Sequence, residues 1–293
     1  MNCESKKYRR IVVKIGSNVL TREDGRPDTT RISALVDQLA RLHRAGTEFI
    51  LVSSGAVASG RSLLETRVGR IDTVSARQLF SAVGQVKLLN RYYDLFNEYG
   101  IACGQVLTTK ESLSTRRQYL NQRNCMEAML AAIVNENDTI SVTELMFTDN
   151  DELSGLVAAM MGAEALVILS NIDGIYDGSP SDPASQVIRR VAPGRDLSQY
   201  IDTARSSRGR GGMTTKSRIS SRAAGEGIEV VIANGRRDNI LTDLILTDRD
   251  VVCTRFEAAP RPASGVKKWI ASSEGFAKGA LHLDAGAAAA VSQ

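Results

Sequence analysis

Short runs of mostly apolar residues recur along the first 250 positions, and longer stretches with helical spacing separate them. Apart from Lys14 and Glu229, the runs at 11–15, 49–52, 165–169 and 228–232 are apolar at consecutive positions rather than at alternate ones. Strands of this kind are buried on both faces, and in proteins they belong to parallel sheets that helices cover. The sequence therefore predicts an α/β fold, a three-layer sandwich with a mainly parallel central sheet.

Two of the stretches between the runs have the spacing of helices. Apolar residues recur every three or four positions from Ile32 to Leu42, and Gly46 follows as a stop signal. A longer helical stretch covers residues 74–99, and residues 101–107 then have the character of another strand. Strands and helices thus alternate, as the predicted sandwich requires.

At four places in the chain a polar cluster directly follows an apolar run. The clusters occupy residues 14–17, 53–55, 135–138 and 170–171. In an open α/β sheet the ligand binds in the crevice at the carboxyl ends of the strands. Four clusters in that position predict one shared ligand site.

Composition narrows the class of protein. The 293 residues include 37 basic and 33 acidic ones, a net charge of +4, so we expect no nucleic-acid partner. No apolar run is long enough to cross a membrane, and the polar N-terminus has no secretory signal. The four cysteines form no CxxC pair, which favours reduced thiols and a cytoplasmic location.

Two basic segments are candidates for phosphate binding, although neither a P-loop nor a protein-kinase motif is present. Lys14 ends the first predicted strand, and Gly16 allows a ligand to approach the backbone closely. For Lys14 alone, a solvated surface lysine is an equal alternative. The glycine-rich segment 209–216 precedes a helical stretch and would form an anion-binding turn with Lys216 behind it; a plain flexible loop is the alternative.

Acidic and amide residues concentrate in segments 135–139 and 148–151. A charge run of this kind is most often a solvated face. Because both segments border apolar runs, the rim of a cleft is the second interpretation. Side chains at such a rim would hold an ammonium group, orient lysines or share Mg²⁺.

Several of these motifs together resemble the glutamate 5-kinases of the amino acid kinase family. The matching segments are residues 13–17, 52–56, 82–85, 135–138, 149–151 and 211–216, and the resemblance runs from about residue 9 to 250. It implies an ATP-dependent kinase that phosphorylates the γ-carboxylate of L-glutamate, the first step of proline biosynthesis. The alternatives are an acetylglutamate or uridylate kinase, or a non-catalytic amino-acid sensor on the same fold.

The resemblance also implies roles for individual residues. It makes Lys14, Lys216 and Asp151 catalytic, with Asp151 orienting the two lysines. It assigns glutamate binding to Ser54, Asn135, Asp138, Asp149 and Asn150. It assigns ATP binding to Lys14, Gly16, Ser170, Asn171, Arg210, Gly211, Gly212, Met213, Thr214, Thr215 and Lys216. Asn171 stands where family members often carry aspartate, which puts the nucleotide preference in question.

Regulation, assembly and domain limits follow from the same resemblance. It implies ATP and Mg²⁺ as cofactors, feedback inhibition by proline, and a homo-oligomer, dimer or tetramer, formed through helices that flank the sheet. Segments 57–85 and 112–124 would take proline, the latter through Arg116, Arg117 and Arg123. The kinase domain would span residues 1–256. Residues 257–293 resemble the lead-in to a PUA domain that is not itself expected here, or else form a disordered extension.

Overall fold

The central feature of the fold is a single sheet. The computed structural model describes residues 7–64, 71–129, 131–140, 149–201 and 212–260, together with Gly286. The strands in these residues are β1 (Arg10–Ile15), β2 (Glu48–Ser53), β3 (Cys103–Thr108), β4 (Ala131–Glu136), β5 (Ala165–Ser170), β6 (Arg190–Val191), β7 (Glu229–Asn234) and β8 (Thr254–Phe256). They form one sheet in the order β3-β4-β2-β1-β5-β7-β8-β6.

Most strand pairs are parallel, as predicted. β1 pairs with β2 and β5, β4 pairs with β2 and β3, and β5 pairs with β7, all in the parallel sense. β8 runs antiparallel to β7. The sequence did not predict β6 and β8, because strands of two and three residues are too short to show a periodicity.

Helices connect the strands. The helices in the described residues are α1 (Ser17–Leu20), α2 (Thr29–Arg44), α3 (Ala56–Leu64), α4 (Thr73–Asn97), α5 (Arg116–Glu127), α6 (Asn150–Met161), α7 (Ser198–Ile201), α8 (Met213–Gly225) and α9 (Ile240–Ile245), with a 3₁₀ turn at Glu111–Leu113. α2 and α4 match the two predicted helices, and Asp72 caps α4 by accepting from the backbone N–H of Val74 and Ser75. None of these helices is both long and apolar enough to cross a bilayer.

The helices cover both faces of the sheet, which confirms the three-layer sandwich. In β1, Ile11, Val13 and Ile15 belong to a core shared with α2, α4 and α9. Val12 belongs to a second core with α5, α6 and α8. Because side chains alternate along a strand, Lys14 lies on the same face as Val12, toward α6 and α8.

The backbones of α3 and α4 touch where they cross. A Cβ atom on Gly84 would lie 1.8 Å from the carbonyl oxygen of Ala56, and one on Gly60 would lie 1.8 Å from that of Phe80. Only glycine fits at either position. The residues 82–85 singled out in the sequence therefore include one of the two glycines at which these helices touch.

Candidate active site

The predicted polar clusters meet at one edge of the sheet. Because β1, β2, β4 and β5 are parallel neighbours, their carboxyl ends lie side by side. Lys14, Ser54, Asn135 and Ser170 stand at or next to these four ends. The prediction of one shared crevice is therefore met by the strand order.

A buried carboxylate bridges the two candidate lysines at the centre of this edge. Nζ of Lys14 lies 2.5 Å from Oδ1 of Asp151, and Nζ of Lys216 donates to Oδ2 at 2.8 Å. The side chain of Asp151 is fully buried, and those of Lys14 and Lys216 are only 7% and 11% exposed. The solvated-lysine interpretation of Lys14 is thus wrong.

Opposing effects act on the pKa of Asp151. Burial alone would raise this pKa, but the charges and hydrogen bonds of Lys14 and Lys216 outweigh burial and lower it. Asp151 is therefore an anion that cancels one of two neighbouring positive charges.

Asp149 sets the start of α6 and so the place of Asp151. Its Oδ1 accepts hydrogen bonds from the backbone N–H of Asp151 at 2.9 Å and of Glu152 at 3.1 Å, which is N-cap geometry. Burial, and then the charge of Asp151, raise the pKa of Asp149. Oδ2 is buried without a hydrogen-bond partner in the described part of the chain.

Asn150 gathers a second cluster beside the ion pairs. Its Nδ2 donates to Oγ of Ser54 and to Oδ1 of Asn135, both at 2.9 Å. These residues come from α6, the end of β2 and β4. Three of the five predicted glutamate-binding residues are thus joined by the amide of one side chain.

Asp138 contacts a different set of side chains, which belong to α4. Its Oδ1 forms a short contact with Nη2 of Arg77, and its Oδ2 accepts from Oγ of Ser81 at 3.4 Å. The same Nη2 lies 3.6 Å from Oε2 of Glu136. Sequence reasoning missed Arg77 and Ser81, although the polar series Arg77, Ser81 and Gln85 at four-residue spacing marks one face of a helix.

The arginines predicted to meet a carboxylate on α5 are exposed. Arg116, Arg117 and Arg123 all face solvent, and Nε of Arg123 lies 3.9 Å from Oε1 of Glu127 on the same helix. Arg77, not an α5 arginine, is the guanidinium that the described residues place against a predicted glutamate-binding side chain.

Some of the residues predicted to bind ATP lie at the ends of β1 and β5. The backbone N–H of Gly16 donates to the carbonyl of Leu169 at 3.0 Å, and a Cβ on Gly16 would come within 3.2 Å of that oxygen. Ser170 is buried and Asn171 is exposed. Asp173, absent from the prediction, accepts from Nδ2 of Asn234 at 3.1 Å, where β7 ends.

The start of α8 brings Lys216 to the site. Gly212 is the N-cap and has no side chain with which to cap the helix, so within the described residues no N-cap side chain accepts from the first backbone N–H groups of α8. Met213 and Thr215 are half-buried and Thr214 is exposed. Arg210 and Gly211 lie outside the described residues.

Solved structures share this fold at low sequence identity. A carbamate kinase from Giardia lamblia bound to AMP-PNP has a TM-score of 0.61 at 15% identity, over 86% of this chain and 99% of its own. A UMP kinase from Ureaplasma parvum has a TM-score of 0.59 at 16% identity, again over 86% of this chain and 99% of its own. These likenesses establish the fold.

Sequence relatives are much more similar. The sequence model of the amino acid kinase family matches residues 9–234. A glutamate 5-kinase from Bacteroides thetaiotaomicron is 65% identical over 94% of this chain and 78% of the relative. A glutamate 5-kinase from Chlorobaculum tepidum is 44% identical over 96% of this chain and 77% of the relative. The chain belongs to the amino acid kinase family and, within it, to the glutamate 5-kinases.

Proposed function

We propose that this chain is a glutamate 5-kinase in activity, transferring the γ-phosphoryl group of ATP to the γ-carboxylate of L-glutamate. The products are γ-glutamyl phosphate and ADP, and the reaction is the first step of proline biosynthesis. One observation carries the mechanism: Asp151 holds Lys14 and Lys216 within 3 Å, directly after Asn150, whose amide binds Ser54. The two lysines that would bind phosphate and the polar side chains that would bind glutamate thus meet at the start of α6.

The reaction needs charge stabilisation more than proton transfer. An oxygen of the γ-carboxylate forms a bond to the γ-phosphorus, while the bond from that phosphorus to the β,γ-bridging oxygen breaks and ADP leaves. The attacking carboxylate is already an anion, so no general base is required. Lys14 and Lys216 supply positive charge around the transferring group, and Asp151 fixes the distance between them.

ATP fits the edge formed by β1, β5 and the start of α8. At Gly16 a Cβ would come within 3.7 Å of Nζ of Lys14, so glycine leaves that ammonium group uncovered on this side, and the described residues supply no side-chain cap to the N–H groups behind Gly212. The described residues contain no cluster of three potential metal ligands, so Mg²⁺ would arrive mainly on the nucleotide phosphates. Asp149, whose buried Oδ2 has no hydrogen-bond partner among the described residues, is the carboxylate that would hold a water of that ion, and the ion would neutralise phosphate charge.

Glutamate binds, in this proposal, between the Asn150 cluster and Asp138. Ser54, Asn135 and Asn150 supply neutral hydrogen-bonding groups, and Asp138 supplies a carboxylate for the α-ammonium group. Asp149 acts on the acceptor indirectly, by fixing the first turn of α6. A site that pairs with an ammonium group disfavours an N-acetylated amino acid or a nucleotide monophosphate.

The deciding experiment measures ADP release with glutamate, N-acetylglutamate or UMP as the acceptor. Glutamate alone should support turnover. Hydroxylamine added to the reaction should trap γ-glutamyl phosphate as the hydroxamate, which identifies the carboxylate as acceptor. A non-catalytic sensor would bind glutamate without ADP release, and ADP release without hydroxamate would exclude acyl phosphate formation.

We propose further that the chain forms a homo-oligomer, a dimer or tetramer, in which two subunits pack against each other through α4. Its outer face carries an uncharged stripe of exposed residues at helical spacing: Leu79, Ala82, Val86, Asn90 and Tyr93. Val86 is 61% and Tyr93 54% exposed. Antiparallel packing of two copies about Val86 would place Leu79 against the partner's Tyr93 without bringing like charges together.

The subunit mass in solution tests this interface. Val86→Glu places two charges face to face and should lower the sedimentation mass. Lys87→Glu, one residue off the stripe, should leave the mass unchanged. A monomeric parent chain, or a Val86→Glu chain of unchanged mass, would contradict an interface on this face.

Proline is proposed to compete with glutamate. It shares the α-amino and α-carboxylate groups of glutamate but lacks the γ-carboxylate, so a site that holds the shared groups accepts either ligand. Segment 57–85 includes Arg77 and Ser81, which contact Asp138. Proline should raise the KM for glutamate at fixed ATP and leave the KM for ATP nearly unchanged. The absence of inhibition at millimolar proline would refute this regulation.

The domain limits and the location also remain proposals. A kinase domain ending near residue 256 agrees with the end of β8 at Phe256, although the backbone N–H of Ala259 still donates to Ala224 in α8. The predicted lead-in to a PUA domain lies almost entirely outside the described residues. A chain ended after residue 260 should retain turnover. A cytoplasmic location stays a prediction from the separated cysteines.

A further inference from the structure

Four side chains of α4 contact the end of β4 and the loop that follows it. Arg77 contacts Asp138 and Glu136, Gln78 donates to the carbonyl of Thr139 at 2.8 Å, and Ser81 donates to Asp138. One turn further, Nε2 of Gln85 lies 3.4 Å from the carbonyl oxygen of Glu136. The loop carrying the proposed ammonium-binding carboxylate is therefore held from a single helix.

The contacts of Arg77 differ from the others because they are made to charged groups. The side chains of Asp138 and Glu136 are 8% and 5% exposed, and both carboxylates approach the same Nη2 atom. Two carboxylates two residues apart repel each other strongly when little water separates them. A guanidinium between them relieves that repulsion.

The geometry points to Arg77 as a positioning residue of the acceptor site, acting on glutamate binding through Asp138. Arg77 and Ser81 each engage one oxygen of Asp138, which fixes the plane of the carboxylate. The guanidinium also keeps Asp138 from turning away from Glu136. The inference rests on the proposed function, since Asp138 acts there as the partner of the α-ammonium group.

The role predicts a selective kinetic effect. Arg77→Met removes the charge and the hydrogen-bond donors but keeps a long apolar stem, so Asp138 loses its fixed position. The KM for glutamate should rise by about ten- to a hundredfold, because a hydrogen bond between charged groups is lost in a buried setting. The KM for ATP should change by less than about twofold, and kcat at saturating glutamate should be largely retained.

Gln78→Met is the matched control. Gln78 is next to Arg77 and binds the same loop, but it donates to the backbone carbonyl of Thr139 rather than to Asp138. If Arg77 only stiffened the loop, both variants would raise the KM for glutamate alike. A selective effect of Arg77→Met supports the positioning role, and equal effects overturn it.

A double-mutant cycle shows whether Arg77 acts through Asp138. The double variant, Arg77→Met with Asp138→Asn, should have nearly the same KM for glutamate as Asp138→Asn alone. If the two residues acted independently, the fold-changes in KM of the single variants would multiply in the double variant. Arg77→Lys, which keeps the charge but not the fork, should recover part of the loss and replaces Arg77→Met if that chain does not fold. A parent chain without glutamate-dependent turnover would refute the proposed function itself. An active parent whose Arg77 variants keep the normal KM would refute this inference alone.

Discussion

Replacing Gly84 with alanine should damage glutamate binding from a distance, through the packing of α4. The new Cβ would lie 1.8 Å from the carbonyl oxygen of Ala56, 2.6 Å from the backbone nitrogen of Gly60 and 2.7 Å from the carbonyl carbon of Ala56. Since real Cβ contacts are essentially never shorter than 3.0 Å, α3 and α4 must separate by at least 3.0 − 1.8 = 1.2 Å. All three obstructing atoms are backbone, so no side-chain rotation relieves the clash.

This separation has two measurable consequences. Overpacking of this kind costs about 1–3 kcal/mol of unfolding free energy, which lowers Tm by roughly 2–5 °C for a chain of 293 residues. Ser81 lies on the same helix, and its contact with Asp138 is already 3.4 Å long, so a shift of α4 would break it. Thermal denaturation and initial rates at varied glutamate should show a lower Tm together with a raised KM for glutamate.

The control uses another helical glycine. Gly225, the last residue of α8, has open space around its would-be Cβ, so Gly225→Ala should be neutral or stabilise by up to about 1 kcal/mol. A Gly84→Ala chain with the parent Tm and the parent KM for glutamate would show that α3 and α4 are not in backbone contact.

Three further outcomes follow from the site. Lys14→Ala and Lys216→Ala should each lower kcat by roughly a hundred- to a thousandfold with the fold retained, since one donor to the transferring group is worth about 3–4 kcal/mol; near-normal turnover at saturating substrates would remove that lysine from the mechanism. Ser54→Ala and Asn150→Ala should raise the KM for glutamate by about ten- to a hundredfold and the KM for ATP much less, as steady-state kinetics would show; equal effects would indicate general loosening. Burial raises the pKa of Tyr92 to about 12 from 10.0, so the folded chain keeps a proton that the unfolded chain loses as pH rises above 10. The unfolding free energy should therefore fall by about 1.4 kcal/mol more by pH 11 in the parent than in Tyr92→Phe, measured by denaturant titration, and parallel pH profiles would contradict this.

Patterns repeated over several residues were enough to predict the frame of the molecule. The apolar runs predicted β1, β2, β5 and β7, because strands buried on both faces are apolar at successive positions. The polar clusters after these runs predicted the edge where ligands bind, since the sense of parallel strands fixes where their ends lie. For the same reason Lys14, at the end of β1, was a candidate before its contact with Asp151 was known.

Contacts between distant segments were beyond such patterns. Arg77 lies 61 residues from Asp138 along the chain, and nothing in the sequence brings α4 to the loop after β4. Asp149 was predicted to bind substrate, but its cap of α6 depends on where the helix begins, which periodicity locates only to within a few residues. β8 pairs with β7 through three residues, too few to be distinguished from a loop.

The order of strands in the sheet has a consequence for synthesis of the chain on the ribosome. The sheet divides between β1 and β5, with β1 to β4 on one side and β5 to β8 on the other. Until β5 emerges, β1 is therefore an outer strand that is paired with β2 on one edge and open on the other, although Ile11 to Ile15 are buried in the finished protein. An apolar strand with one open edge is a template for pairing with other chains. The nascent first half is thus the stage at which a chaperone that shields strand edges would have most effect on yield.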